Sequence, residues 1–273
     1  RRQRQMCIRD RDGKPVTAIG ERAFYYSLSL TSVTIPDSVT CISKRTFSCC
    51  YNLMSIALPS GLTAIEPGTF ELCNSLTSIA IPDSITTIAE DAFVSCKALQ
   101  SFTLSPNHPY FFLADGALCR TVDNTLLFYP NARENRTYRI PDGIAAISAY
   151  AFYDCDLLES VVIPDSITQI PERAFYGCSA LASVSLPDSL TEIGIAAFSF
   201  CAALTDIRLP ASITEISAGL FSGCSSLATL EIPDSVTIIG GDAFVGCSSL
   251  TSMTIPDSVT EIGSNPFPRS GLQ

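Results

Sequence analysis

The six residues "IPDSVT" at Ile35–Thr40 recur along the chain with small changes. They return at Ile81–Thr86, Ile163–Thr168, Leu186–Thr191, Ile232–Thr237 and Ile255–Thr260. The prolines of this motif form two series with a constant interval of 23 residues, namely Pro36, Pro59 and Pro82, and then Pro141, Pro164, Pro187, Pro210, Pro233 and Pro256. A fixed period of this length is typical of a solenoid, in which every repeat packs on its neighbours.

One repeat, "LASVSLPDSLTEIGIAAFSFCAAL" at residues 181–204, predicts the structure of one coil. Val184 and Leu186 alternate with a polar residue, which is the period of a short strand with one buried face. Pro187 cannot donate a ladder hydrogen bond, so we expect the strand to end there. The sequence Pro-Asp-Ser then suits a turn in which Asp188 caps backbone amides. The segment "LTEI" predicts a second short apolar element of the coil.

Three apolar columns run through the repeats. Phenylalanine recurs at Phe24, Phe47, Phe70, Phe93, Phe152, Phe175, Phe198, Phe221, Phe244 and Phe267. Cysteine follows three residues later at Cys50, Cys73, Cys96, Cys155, Cys178, Cys201, Cys224 and Cys247, and a leucine follows each cysteine by three more. Coils stacked at about 4.8 Å bury such a stripe continuously. We therefore expect the column cysteines to be small buried hydrophobic residues with reduced thiols.

These residues resemble the BspA-like (Treponema pallidum-type) leucine-rich repeats, whose pattern is L-x-x-[IV]-x-[IL]-P-x-x-[IV]-T-x-I-x-x-x-A-F-x-x-C. The resemblance covers most of the chain and is specific for the fold. It implies a leucine-rich-repeat solenoid, which is a β-rich, right-handed stack of coils with short parallel strands, interrupted here by one β-hairpin insertion. It also implies an extracellular or cell-surface protein of host-associated microbes that is involved in adhesion.

The repeat rhythm breaks once, because Pro82 and Pro141 are 59 residues apart, which is two periods of 23 plus 13. We expect one solenoid domain over 1–273, with repeats at 15–104 and 141–270 and an irregular insertion at 105–140. Asp123–Asn124 suits a two-residue turn with positive φ, so the sequence predicts a hairpin over 117–130.

The insertion is rich in aromatic residues, which are Tyr110, Phe111, Phe112, Phe128 and Tyr129. They either cover solenoid core at the irregular junction or form an exposed contact patch. The first interpretation is favoured, because a hairpin needs an apolar face to be stable.

Composition excludes several classes of protein. An apolar fraction of 47% and a charged fraction of 16% indicate a folded chain with a large core. The net charge of −10 argues against a nucleic-acid partner. No stretch approaches the roughly 20 unbroken apolar residues that a membrane helix needs. The chain starts in a basic cluster at Arg1 without a signal-peptide core and ends after "PRSGLQ", so we interpret it as a fragment of a longer protein.

The sequence contains no recognisable catalytic or cofactor motif, and we expect a non-enzymatic protein without cofactor or metal. Its single histidine, His108, has no nucleophile at a recognisable spacing. P-loop, dinucleotide-binding and zinc-protease motifs are absent from the sequence. The cysteines outside the column are the only candidates for disulfide bonds, and these are Cys7, Cys41, Cys49 and Cys119.

Two polar columns allow alternative functions. The aspartates that follow the prolines suggest calcium, but a single file of carboxylates does not surround an ion that takes six to eight oxygens. The threonines, such as Thr40 and Thr63, suggest ice binding on a flat ladder. Each threonine shares strand parity with a buried isoleucine two residues on, so we expect it to point inward and to satisfy backbone groups.

Outward positions of the predicted strands are the natural binding surface of a solenoid. Here they are mostly serine and threonine, and charge is concentrated around Asp206, Arg208, Thr229 and Glu231. This patch and the aromatic run Tyr110, Phe111 and Phe112 are the candidate partner-binding residues, since Arg and aromatic side chains dominate binding hot spots.

Two functions fit the sequence. The first is a monomeric module for protein–protein interaction or adhesion at a microbial cell surface, with host matrix and cell-surface proteins as the implied partners. The second is a structural spacer in a larger surface protein, with no ligand of its own. The flanking sequence would separate the two, since we expect any signal peptide, anchoring motif or neighbouring domain to be found there.

Overall fold

The computed structural model describes the backbone of Gln5–Cys7 and all of residues 14–272. The basic cluster at residues 1–4 and the side chain of Cys7 lie outside the described residues. The chain divides into two compact units. The N-terminal unit comprises Arg1–Val122 and Phe128–Arg133, and the C-terminal unit comprises Asp123–Leu127 and Glu134–Gln273.

The fold is a leucine-rich-repeat β-solenoid of short strands, and residues 14–272 contain no helix. The N-terminal unit contains β1 (Gln5–Cys7), β2 (Ala18–Ile19), β3 (Ser32–Thr34), β4 (Cys41–Ile42), β5 (Ser55–Ala57), β6 (Ala64–Ile65), β7 (Ser78–Ala80), β8 (Thr87–Ile88), β9 (Ser101–Thr103), β10 (Phe111–Ala114) and β11 (Ala117–Arg120). The next strand, β12 (Thr125–Phe128), begins in the C-terminal unit, which continues with β13 (Thr137–Arg139), β14 (Ala146–Ile147), β15 (Ser160–Val162), β16 (Gln169–Ile170), β17 (Ser183–Ser185), β18 (Glu192–Ile193), β19 (Glu215–Ile216), β20 (Ile238–Ile239) and β21 (Glu261–Ile262).

The regular coils up to β18 have a three-residue strand and a two-residue strand, and each of these strands pairs in parallel with the same position of a neighbouring coil. Val161 faces Val184 in the three-residue strands, and Ile170 faces Ile193 in the two-residue strands. In the three-residue strands from β3 to β17 the central residue is buried, so the alternation predicted from the sequence is confirmed there. The three-residue strands and their equivalents in other coils form the surface that we call the strand face.

The proline turn after the strand face is closed by the amide of Leu190, which donates to the carbonyl of Pro187 at 3.2 Å. The prediction that the aspartate caps this turn needs correction. The serine after it makes the recurring bond, because Ser189 Oγ donates to the carbonyl of Ile167 in the preceding coil at 3.3 Å. Ser166 and Ser235 make equivalent bonds. The motif therefore links consecutive coils as well as turning the chain.

Residues 194–202, and the equivalent segment of every coil, form what we call the aromatic turn. Ala196 and Phe200 have left-handed backbones, with φ of 53° and 60°. The amides of Ala196, Phe198 and Phe200 donate to carbonyls of the next coil at 3.0, 3.1 and 2.6 Å, whereas the amides between them close turns within the coil. The two left-handed residues thus rotate alternate amides toward the next coil, which joins the aromatic turns without a strand.

The phenylalanine and cysteine columns form the core of the aromatic turns. The rings of Phe175 and Phe198 stack with centroids 5.3 Å apart and planes 9° apart. Cys201 is fully buried, as predicted, but its thiol also donates to the carbonyl of Phe175 at 3.2 Å. That carbonyl accepts the amide of Cys178 in its own coil as well, at 3.3 Å. Cys50, Cys73, Cys96, Cys178, Cys224 and Cys247 make the same bond, so each of these thiols donates to the carbonyl of a phenylalanine in the preceding coil.

The threonine column is exposed, so the inward direction predicted from strand parity is wrong. Thr191 precedes β18 and stands at a corner, where the alternation of the two-residue strand has not begun. Its amide and its Oγ1 both donate to the carbonyl of Thr168, at 2.8 and 3.1 Å. The hydroxyl does satisfy a backbone group, but it does so from the surface.

The insertion in the N-terminal unit contains a hairpin of β10 and β11. Asp115 and Gly116 form its turn with φ of 44° and 80°, which fits the type I′ geometry that right-twisted strands favour. The arms of the hairpin predicted over 117–130 coincide with β11 and β12, and the sequence had not indicated β10.

His108 fixes the entry to this hairpin. It is buried, and its Nδ1 accepts the amides of Tyr110 and Phe111 at 3.3 and 3.2 Å. Its Nε2 lies 3.0 Å from the carbonyl of Pro82, so Nε2 carries the proton and donates to that oxygen. The single histidine has a structural role.

Candidate interaction surface on the strand face

The strand face of the C-terminal unit loses its hydrogen-bond ladder after β17. Strands β13, β15 and β17 form one sheet, but residues 206–208, 229–231 and 252–254 form no strand. Within the described chain, no backbone hydrogen bond joins residues 206–209 to 229–232. Aspartate is among the residues that strands disfavour, and this part of the face carries the charged outward positions.

The same coils stay joined at their other segments. The amide of Ala228 still donates to the carbonyl of Thr205 at 3.0 Å, just before the open segments. Strands β19, β20 and β21 pair in register, and the aromatic turns keep their bonds between coils. Inward-pointing residues such as Ile207 and Leu230 remain buried. Among the coils of residues 206–208, 229–231 and 252–254 the opening is therefore confined to the strand face, and the core beneath it is intact. Between β18 and β19 the described chain shows no strand pairing either.

Grooves lie between the open segments. The first has a volume of about 550 Å³, and Asp206, Arg208, Thr229 and Glu231 all line it together with Asp234. A second groove of about 580 Å³ shares Thr229 and Glu231 and extends toward the last coil. The structure thus brings the four charged and polar residues singled out in the sequence to one groove.

The charged side chains that line this groove do not form salt bridges with one another. The side chains of Asp206, Arg208 and Glu231 are exposed, and within residues 14–272 Arg208 has no carboxylate partner. The salt bridges of the C-terminal unit join other pairs, namely Arg136–Glu159, Arg139–Asp142 and Arg173–Glu172. A guanidinium flanked by carboxylates and by unpaired backbone groups can bind a polar partner in a defined orientation.

The structure buries most of the aromatic residues of the insertion. Phe111 is only 2% exposed, and Phe128 and Tyr129 are buried too. Phe128 packs edge-on against Phe93, with centroids 5.2 Å apart and planes 87° apart. Tyr110 remains 43% exposed. Phe111, Phe128 and Tyr129 therefore extend the core of the N-terminal unit, which is the interpretation that hairpin stability favours. Phe112 is half-buried.

Sequence reasoning missed a cluster of aromatic residues on the aromatic turns of the C-terminal unit. Tyr150, Tyr153, Tyr176 and Phe200 contact one another in series, with centroids 5.8, 4.8 and 5.2 Å apart. The insertion is therefore not the only source of large side chains for a binding site. The signal for Tyr153, Tyr176 and Phe200 was present in the sequence, because these three aromatic residues follow the column phenylalanines of three successive coils by one or two positions.

Other candidate chemistry finds no support in the described part of the chain. Over residues 14–272, no group of three or more His, Cys, Asp or Glu is arranged to hold a metal ion. Cys41, Cys49 and Cys119 are free thiols. None of the described segments forms a helix of the length and apolarity needed to cross a membrane.

Comparisons with known proteins agree with this architecture. The pattern of the BspA type leucine rich repeat region matches residues 14–112 and 145–273, in 6 copies. A leucine-rich repeat protein from Eubacterium ventriosum superposes with a TM-score of 0.84 at 25% identity, covering 98% of this chain and 83% of that one. A leucine rich cell surface protein from Faecalibacterium prausnitzii superposes with a TM-score of 0.66 at 28% identity, covering 95% and 87%.

The pneumococcal vaccine antigen PcpA shares the fold, with a TM-score of 0.61 at 17% identity, covering 95% of this chain and 83% of that one. No curated protein sequence matches the chain significantly.

Proposed function

Because this chain belongs to the BspA-type leucine-rich repeat family, we propose that it is a non-enzymatic module that binds a protein partner through the open part of its strand face. The observation that carries the proposal is the groove lined by Asp206, Arg208, Thr229 and Glu231, where the ladder between coils is missing. Leucine-rich repeat solenoids present such extended surfaces, and their fold is typically not enzymatic.

The chemistry of the groove favours a protein as the partner. Backbone amides and carbonyls that lack a ladder partner can hydrogen-bond an extended peptide, as the edge of a sheet does. Arg208 supplies a planar donor, and Asp206 and Glu231 supply acceptors on both sides of it. The flat Ser/Thr surroundings offer little hot-spot energy, so a single copy binds weakly and many copies per cell provide the strength.

We place this binding at a microbial cell surface, as an adhesive contact. The F. prausnitzii relative, which is 28% identical, is described as a cell surface protein, and that description supports the placement. Host matrix and cell-surface proteins are the corresponding partners.

The test compares wild type with two groove variants on a panel of purified matrix proteins and on intact host cells, using the module at high surface density. We expect Asp206→Ser combined with Glu231→Ser, and separately Arg208→Ser, to lower binding at least about fivefold with an unchanged melting temperature. Glu215→Ser is the matched control, because Glu215 is exposed on β19, away from the groove.

Two outcomes would overturn the proposal. Equal loss of binding by the Glu215→Ser control would show that only net charge matters. Absence of wild-type binding at high density would favour a spacer without a ligand.

A further inference from the structure

Phe200 is an exposed aromatic residue at the second left-handed position of the aromatic turn, where the neighbouring coils have glycine. Its side chain is 50% exposed, although its φ is 60°. The same position is Gly177 in the preceding coil and Gly223 and Gly246 in the two following coils, with φ of 74°, 77° and 73°. A bulky residue in this backbone conformation is uncommon. The column imposes it in other coils as well, for example at Tyr26 and Leu72 with φ of 58° and 60°.

The ring of Phe200 lies flat on the backbone of Gly223. A Cβ atom placed on Gly223 would lie 2.7 Å from Cδ1 of Phe200 and 3.1 and 3.2 Å from Cε1 and Cγ. Because this Cβ position is almost as close to Cε1 and Cγ as to Cδ1, it lies above the plane of the Phe200 ring and not beside its edge. One face of the ring therefore covers the glycine, and the opposite face is turned to solvent. Any side chain at position 223 would displace the ring.

Neighbouring side chains hold the ring of Phe200, which we call the platform, in place. Tyr176 meets Phe200 with centroids 5.2 Å apart and planes 62° apart, and it stacks on Tyr153 at 4.8 Å. Asp154 occupies the same column position two coils earlier, also with a left-handed backbone, and its carboxylate covers Gly177. Two coils correspond to roughly 10 Å, so a carboxylate and an open aromatic face lie along one line of the surface.

This arrangement has the chemistry of an arginine site. An aromatic face carries negative potential and attracts a cation, and a guanidinium is flat enough to stack on it. Arg173 of the same surface cannot fill the site, since it is held by Tyr150 Oη and Glu172, both at 3.4 Å. We propose that the outer face of Phe200, with Asp154 as the countercharge, binds an arginine side chain of a partner protein.

The proposal is independent of the groove on the strand face, because Phe200 lies in the aromatic turn of the coil. The test uses the full chain, isotope-labelled for NMR and titrated with the peptide acetyl-Gly-Arg-Gly-Arg-Gly-amide. We expect saturable shifts centred on Phe200 and Gly223. The lysine analogue should bind at least about threefold more weakly, because an ammonium does not stack.

Substitution of Phe200 separates binding from folding. Phe200→Gly installs the residue that neighbouring coils have at this position, so we expect the peptide shifts to disappear while the denaturant midpoint stays equal or rises. Tyr26→Gly is the matched control, because Tyr26 has the same column position and a φ of 58° in the N-terminal unit. This variant should bind the peptide as wild type does. Asp154→Asn should weaken binding about threefold and reduce its salt dependence.

Three results would overturn the proposal. Equal binding of the arginine and lysine peptides would indicate simple attraction to an acidic protein. Undiminished binding by Phe200→Gly would move the site elsewhere. Binding of a neutral oligosaccharide such as cellopentaose to Phe200, without binding of the arginine peptide, would identify the platform as a sugar site instead.

Discussion

At the scale of the residue, the cysteine column shows how one side chain can meet two demands. The side chain of Cys201 is fully buried, so its position favours an apolar group. Yet the carbonyl of Phe175 in the preceding coil accepts a second hydrogen bond at this position. A thiol is apolar enough for burial and is also a weak donor. Alanine lacks the donor, and valine is too bulky to keep the stacking.

This dual role predicts an order of stability for variants of Cys201. Cys201→Ala should cost about 1–2 kcal/mol of unfolding free energy, because it leaves a small cavity and a carbonyl with one partner. Cys201→Ser should cost less, since its hydroxyl still donates to Phe175. Urea unfolding of both variants measures the difference. A serine variant less stable than the alanine variant would mean that the thiol acts only as a hydrophobic group.

The buried thiols also make stability depend on alkaline pH. Burial raises the pKa of Cys96 and of Cys119 from 9.0 to about 12. Unfolded thiols therefore lose their protons first, and the native state holds more protons between about pH 9 and pH 12. Stability is complete below pH 9 and falls as the pH rises through this window, by about 1.4 kcal/mol per pH unit for each such thiol.

Urea unfolding at a series of pH values from about 8 to 10 checks this direction. Cys96→Ser is the control, because a serine does not ionise in this range, and its stability should fall less steeply than that of wild type. Parallel curves for the two proteins would show that Cys96 does not contribute.

At the scale of the element, the stacked rings make each coil depend on both neighbours. Phe198 packs between Phe175 and Phe221, with centroids 5.3 and 6.2 Å away, whereas Phe267 stacks on Phe244 and is only half-buried. A ring held on both sides loses more contacts when it is removed.

We therefore expect Phe198→Ala to cost about 3–5 kcal/mol and Phe267→Ala markedly less. The shift in denaturant midpoint of each variant provides the comparison. Similar losses at the two positions would contradict the stacked column.

The sequence predicted those parts of the fold that follow from the regular recurrence of apolar and polar residues. The strand at residues 183–185, the proline turn and the buried cysteines follow from alternation, from the missing amide of Pro187 and from the apolar columns. The open strand face could not be predicted, because "LTDIRL" at residues 204–209 has the same apolar pattern as "LASVSL" at 181–186. Pairing there depends on backbone bonds across coils, which the pattern of one coil does not encode. The exposure of Thr191 and the flat ring of Phe200 likewise depend on backbone geometry at corners.

At the scale of the molecule, each unit is a series of coils that are coupled mainly to adjacent coils. Such a protein is stabilised by the sum of its coils and of the interfaces between them, and it can open at one interface while the others persist. The open segments at 206–208 and 229–231 lack ladder bonds between their coils, so we expect this part of the strand face to open more readily than the paired strands β15 and β17.

Native-state hydrogen exchange tests this distribution. Amides of residues 206–209 and 229–232 should exchange faster than the paired amides of β15 and β17 by at least about tenfold. The amides of the aromatic turns in the same coils should remain protected and serve as the internal reference. Uniform protection of the strand face would contradict the local opening.

The missing ladder gives the protein a defined response to mechanical load. A force applied along the stack acts on its interfaces in series, so the coils with an open strand face yield first and the rest stay folded. Each coil that peels away releases 23 residues, or about 80 Å of slack chain. If the protein links two surfaces, it would therefore lengthen in such steps under load. Each step would lower the force on the protein before its attachment to either surface breaks.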